Sequence, residues 1–128
     1  MNPSIPVSWG ELIDKVTILE IKAQWLTSET ARDNVRRELA QLAPIAASAE
    51  GMHPEIAKLK AELKRVNETL WQIEDDIREK EAEKSFDADF IALSRAVYHN
   101  TDTRGRLKQK INTLLQSDIT EEKQYSTY

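Results

Sequence analysis

At 128 residues the chain can bury one modest core but not two. With 31% charged and 6% aromatic residues, three glycines and four prolines, it has the composition of a helix-rich globular protein rather than a β-sandwich or a disordered tail. Eighteen basic against twenty-two acidic side chains leave a formal charge of -4, a field that recruits neither nucleic acid nor anionic lipid, and the lack of cysteine removes disulfides, thiolate metal sites and thiol nucleophiles.

Met1 to Trp9 contains no basic segment followed by an apolar run, and no stretch approaches the roughly 20 apolar residues of a membrane span. A cytoplasmic protein is expected, with no membrane and no nucleic acid among its partners. Ser8 and Glu11 have the spacing of a capping box, and Val7 and Leu12 that of a hydrophobic staple, so a first helix starts at about residue 8. From there Trp9, Leu12, Ile13, Val16, Leu19, Ala23 and Leu26 follow one helical face, and Ile18, Ile21 and Trp25 form a second stripe nearly opposite. A helix apolar on two sides belongs at the centre of a bundle or at an interface. The second stripe is therefore the candidate partner interface, meeting a second copy or another protein.

Thr27 or Ser28 can end this helix at about 27 and cap the next over about 28–43, with Ala31, Val35, Leu39 and Leu42 inward. Pro44, Gly51 and Pro54 make 44–54 read as a loop. The third helix, about 54–84, carries Ile56, Leu59, Leu63, Val66, Leu70, Ile73 and Ile77 in alternating steps of three and four, a coiled-coil-like seam. The fourth, about 87–115, is capped by Ser85 or Asp87 and continues the seam as Phe90, Leu93, Val97, Asn100, Arg104, Leu107, Ile111 and Leu114. A single fold-back near residue 85 sets Ile77 against Leu93, Ile73 against Val97, Leu63 against Leu107 and Leu59 against Ile111, and brings Asn100 beside Leu70 and Arg104 beside Val66. The expected architecture is a single all-α domain, 1–128, a helical bundle around a long antiparallel two-helix hairpin. Asp118 and Glu121 suggest one more capping box before a short C-terminal turn at about 119–123.

Asn100 and Arg104 interrupt an otherwise aliphatic seam, and an inward arginine needs a carboxylate partner because an unpaired buried charge costs several kcal/mol. Glu20, inside the apolar arc of the first helix, Glu74, a turn from Leu70, and Asp102 are the candidates; Asn67 shares the flank of Glu74. Glu20, Asn67, Glu74, Asn100 and Arg104 thus form the candidate ligand-binding set. Such a layer either fixes helix register, as polar seam residues do in coiled coils, or clamps an anion through Arg104 with Glu20 or Glu74 as acid or base. Gly105, in the middle of a helix, allows close approach of a ligand or another backbone at a cost of ~1 kcal/mol.

The acidic run Glu74, Asp75, Asp76, Glu79, Glu81, Glu83 could suggest magnesium, but its alternation with Arg78, Lys80 and Lys84 in i,i+4 pairs is that of a solvated face. Arg104, Arg106, Lys108 and Lys110 are spread around their helix, a weak nucleic-acid patch. Trp9, Trp25 and Trp71 read as core or interface anchors. No metal is expected, since there is no cysteine, the only histidines are His53 and His99 and the acidic run reads as solvated, and no cofactor is expected; neither a phosphate-binding glycine loop nor a serine nucleophile motif is present.

Several strings resemble a family of small, all-helical bacterial proteins of unknown function: Gly10-Glu11-Leu12-Ile13-Asp14-Lys15-Val16-Thr17-Ile18-Leu19-Glu20-Ile21-Lys22, Val66-Asn67 with Leu70-Trp71 and Ile73-Glu74-Asp75, Val97-Tyr98-His99 with Asp102 and Arg104, and Glu121-Glu122-Lys123 with Tyr125. The resemblance implies a free-standing helical protein and no defined reaction or cofactor. Glu20, Asn67, Glu74 and Arg104 match polar positions of the pattern; where it has asparagine directly before the aspartate, this chain has Thr101 before Asp102, with asparagine at 100. Two kinds of function are expected. A non-enzymatic interaction or oligomeric module, most simply a homodimer, is preferred. A small-molecule enzyme or binding protein that holds an anionic ligand is the alternative.

Overall fold

A computed structural model describes residues 1–128. Four helices and no strands form an all-α bundle: α1 Trp9–Trp25, α2 Glu29–Glu50, α3 Ile56–Glu83 and α4 Ala88–Leu114. The starts of three helices follow from side-chain caps. Ser8 accepts from the Glu11 N–H, Ser28 from the Ala31 N–H and Asp87 from the Phe90 N–H. The capping box at Ser8 is only half made, because the Glu11 carboxylate turns away to Lys108.

Helix α1 is central and packs against all three others. Gly10, Asp14, Thr17 and Ile21, spaced four, three and four residues apart, are all buried, as are Leu12, Ile13, Val16 and Leu19. Ile21 is only 2% exposed, so the second stripe faces inward at its middle and no partner can reach it there. Trp25 meets Trp71 of α3 edge-on at 5.9 Å but remains 37% exposed, and Ile18 is half-buried.

Helices α3 and α4 form the long hairpin. Lys84, in the left-handed conformation at φ 57°, ends α3, and the Ser85 N–H closes the last turn on the Lys80 carbonyl. Lys80 reaches Asp87 across the turn at 3.1 Å, and Arg104 reaches Asn67 further down, both consistent with antiparallel pairing. The seam residue between Leu63 and Leu70 is Asn67, buried, rather than the half-buried Val66.

The segment 44–54 is not a loop throughout: α2 runs through Pro44 to Glu50. Pro44 is exposed, so the missing N–H leaves a carbonyl that water can serve, while Ala46 and Ala49, one turn beyond, are buried in the core and hold the helix on course. No turn forms at 119–123 either, because Glu121 is drawn across to Lys108 and the chain from Thr120 to Tyr128 is irregular. The main core joins Leu12, Ile13 and Val16 of α1, Ala46 and Ala49 of α2, and Ile56, Leu59, Leu63, Ile111 and Leu115. It lies at the open end of the hairpin, away from the α3–α4 turn.

Candidate functional site

Packing α1 into the angle of the hairpin leaves two polar assemblies around it. The first holds the start of α1. Asn112 accepts from the Gly10 N–H at 2.6 Å, Ser117 accepts from the Trp9 N–H at 3.0 Å, and Ser8 takes the Glu11 N–H, so donors that a helix start leaves open are met by side chains. Next to them Lys108, buried, bonds Glu11 at 2.8 Å and Glu121 at 2.7 Å, and lies 3.8 Å from Asp14. Burial works against the ammonium charge, but the bonds to Glu11 and Glu121 and the Asp14 charge outweigh it and raise the Lys108 pKa; the Lys108 bond in turn lowers that of Glu121.

The second assembly crosses all three helices. The buried Asn67 amide donates to Asp14 Oδ1 at 2.8 Å and to Thr17 Oγ1 at 2.9 Å, and Thr17 donates to the Asp14 carbonyl at 2.7 Å. The amide oxygen of Asn67 accepts from Arg104 Nη1 at 3.4 Å. Burial pushes the Asp14 carboxyl above its ordinary pKa, with the Asn67 bond and the charges of Lys108 and Arg104 opposing the rise. Arg104 is half-buried and has no carboxylate within ion-pair distance, and none of its nitrogens is both buried and unbonded. One weak bond to an amide therefore leaves most of the five guanidinium donors free.

Those donors border a groove of about 460 Å³ between α1, α3 and α4, lined by Ile18, Ile21, Leu70 and Trp71 on its apolar wall and by Lys22, Asn67, Glu74, Asp75, Arg78, Thr101 and Arg104. Of the five expected binding residues, Asn67, Glu74 and Arg104 come together here. Glu74 pairs with Arg78 at the lip rather than with Arg104. Glu20 does not join them: it bonds Lys60 at 3.4 Å and approaches Lys64 at 3.7 Å, a separate ion pair between α1 and α3. Asn100 spends its amide on the Ala96 carbonyl one turn back and does not line the groove. Asp102 is engaged by the Tyr128 hydroxyl.

Asp14, Thr17 and Lys108 belong to the site region and went unassigned in the sequence. Their signal is the seam spacing itself: Gly10, Asp14, Thr17, Ile21 on α1 and Arg104, Lys108, Ile111, Leu115 on α4 each step by four, three and four, a pattern hidden when only apolar residues are followed. The basic stretch on α4 is divided, with Lys108 buried, Arg104 half-buried, and Arg106 and Lys110 exposed. No three His, Asp or Glu side chains gather so as to hold a metal ion. The tight backbone approach falls at Gly10, where a Cβ would meet the Lys108 carbonyl oxygen at 2.5 Å; at Gly105 it would touch only the flexible Lys123 side chain, at 3.7 Å.

Residues 4–128 match a family described as a family of unknown function (DUF6165). Comparison with curated proteins and with solved structures finds no match.

Proposed function

We propose that this chain, which belongs to that family of unknown function, is a small-molecule-binding protein that holds an anionic ligand in the groove between α1, α3 and α4, with Arg104 as the clamp. The observation that carries the reading is the state of Arg104: a half-buried guanidinium beside the apolar wall of the groove, bound only to an amide oxygen at 3.4 Å, with no carboxylate within ion-pair distance. A register-fixing buried ion pair would have supplied that carboxylate. The Asp14–Asn67–Thr17 bonds fix the amide and so aim its oxygen at Arg104. The groove's volume is that of small-molecule sites.

A thermal-shift screen of carboxylic acids, sugar phosphates and nucleotides on wild type and Arg104→Ala tests this. At least one class of anion is expected to raise the wild-type Tm and to leave the variant unmoved. Stabilisation that persists in Arg104→Ala, or an absence of any anion response in the wild type, overturns the clamp. Arg104→Lys, which keeps the charge and loses the fork, controls for a variant that is merely less folded.

A second reading, an oligomeric or protein-interaction module, is favoured by the hairpin tip, where Phe86 and Ile91 are 55% and 57% exposed and Phe86 stacks edge-on with Phe90. A homodimer built there would dissociate on Ile91→Asp in sedimentation velocity; a wild type that sediments as a monomer at all concentrations removes it.

A further inference from the structure

The charges and surfaces lining the groove also narrow the kind of anion. Arg78 is neutralised by Glu74, so the groove holds two cations without a carboxylate partner, Lys22 and Arg104, against one carboxylate without a cation, Asp75. The remaining balance is a single positive charge. A compact polyanion would exceed that single charge and set the excess against Glu74 and Asp75. Of the rest of the lining, Ile18, Ile21 and Leu70 offer no donors and the Asn67 amide is spent on Asp14 and Thr17, which leaves only the Trp71 indole N–H and the Thr101 hydroxyl to serve a polyol or a phosphate chain.

We infer that the ligand is a monoanion with a flat apolar body, of the aromatic monocarboxylate class, its carboxylate on Arg104 and its ring against Ile18, Leu70 and Trp71. The inference rests on the groove being an anion site and specifies what occupies it. A planar carboxylate matches the guanidinium fork in two parallel hydrogen bonds, which a 3.4 Å bond to a single amide oxygen leaves room for. An apolar body displaces water from the wall, which strengthens that ion pair by lowering the local dielectric. Trp71 is packed against Trp25 in a T-shaped pair at 76°, a contact that helps to hold its ring in place.

Calorimetric titration separates the possibilities. The probes are benzoate, 2-naphthoate and indole-3-acetate, the uncharged 2-naphthalenemethanol, and inorganic phosphate, each against wild type, Arg104→Ala and Arg104→Lys, with helicity checked by circular dichroism. At least one aromatic carboxylate is expected to bind wild type, and its affinity to fall about 10- to 100-fold in Arg104→Ala, the size of a charge-assisted hydrogen bond. The alcohol and phosphate are expected to bind at least about tenfold more weakly than that carboxylate. Phosphate binding that depends on Arg104 without any aromatic carboxylate binding overturns the aromatic class and leaves the anion site standing. Equal binding of naphthoate and the alcohol, unaffected by Arg104→Ala, overturns both, as does an absence of binding by every anion.

Discussion

At the scale of single residues, two glycines in helices make opposite demands. Gly10 sits against the Lys108 carbonyl, and its own N–H is held by Asn112 at 2.6 Å. A methyl group there forces α1 off α4, and the overpacking and lost hydrogen bond outweigh the ~1 kcal/mol that alanine returns in helix propensity. Gly10→Ala is expected to destabilise by about 2 kcal/mol in urea denaturation. Gly105→Ala meets only a flexible lysine and is expected to stabilise by about 0.5–1 kcal/mol. An unchanged or higher midpoint for Gly10→Ala would remove the backbone contact from the account.

Lys108 carries the pH dependence. The Glu121 pKa is lowered from its ordinary 4.5, so the stability of that pair is present above pH 4.5 and is lost as pH falls through the lower folded value. Asp14 has the opposite sign. Its folded pKa lies above 3.8, so the folded protein takes up its proton first and gains relative to the unfolded chain as pH falls toward 3.8. Lys108→Met is expected to cost about 2–3 kcal/mol at pH 7, discounted because Glu11 and Glu121 are partly exposed, and the gap from wild type should close below pH 4.5. A gap that stays constant with pH would mean that Lys108 acts through packing alone.

At the scale of elements, α2 shows where sequence punctuation fails. Proline inside a helix normally ends it, and the reading of 44–54 as a loop rests on that rule. Tertiary contacts override it here, since Ala46 and Ala49 have burial to lose if the helix stops. Pro44→Ala restores an N–H in an exposed turn and is expected to raise stability by about 1–2 kcal/mol, net of the extra freedom of the unfolded chain. A lower denaturation midpoint would show that the proline sets a bend which the packing needs. The hairpin was legible because seven aliphatic positions on α3 step by three and four without a gap. The terminal turn was not, since a capping-box spacing at Asp118 and Glu121 carries no information about a lysine 13 residues earlier in the chain.

The site was legible in part for a related reason. Arg104, Asn67 and Glu74 stand out because they break or flank an apolar pattern, and they do line one groove. Glu20 stands out equally and is claimed by Lys60 and Lys64, which lie on the half-buried flank of α3 where apolar periodicity gives no guidance. Asp14 is the reverse case. Its neighbours Ile13 and Val16 account for the helical face, and only the three-dimensional meeting with Asn67 and Lys108 shows that it is part of the interior.

At the scale of the whole molecule, stability is graded along the hairpin. The core draws on residues 12–16, 46–63 and 111–115, whereas beyond Ile73 no hairpin residue up to Leu107 is buried. Amides near Leu59 and Leu63 are expected to exchange only on global unfolding, and those near Asp76–Glu79 and Ile91–Leu93 through local opening several kcal/mol lower. Uniform protection along α3, measured by native-state hydrogen exchange, would contradict that gradient.

Contact between Gly10 and Lys108 also means that any tilt of α1 about that crossing would be felt most at the far end of the helix. The end of α1 is pinned to α4 at backbone distance, while Ile21, on the groove wall, lies eleven residues along, or about 16 Å of helix. A tilt of α1 by about 5° about the pinned end would move Ile21 by roughly 1.4 Å, enough to widen or narrow the cleft by a good part of a methyl group while the crossing itself stays shut.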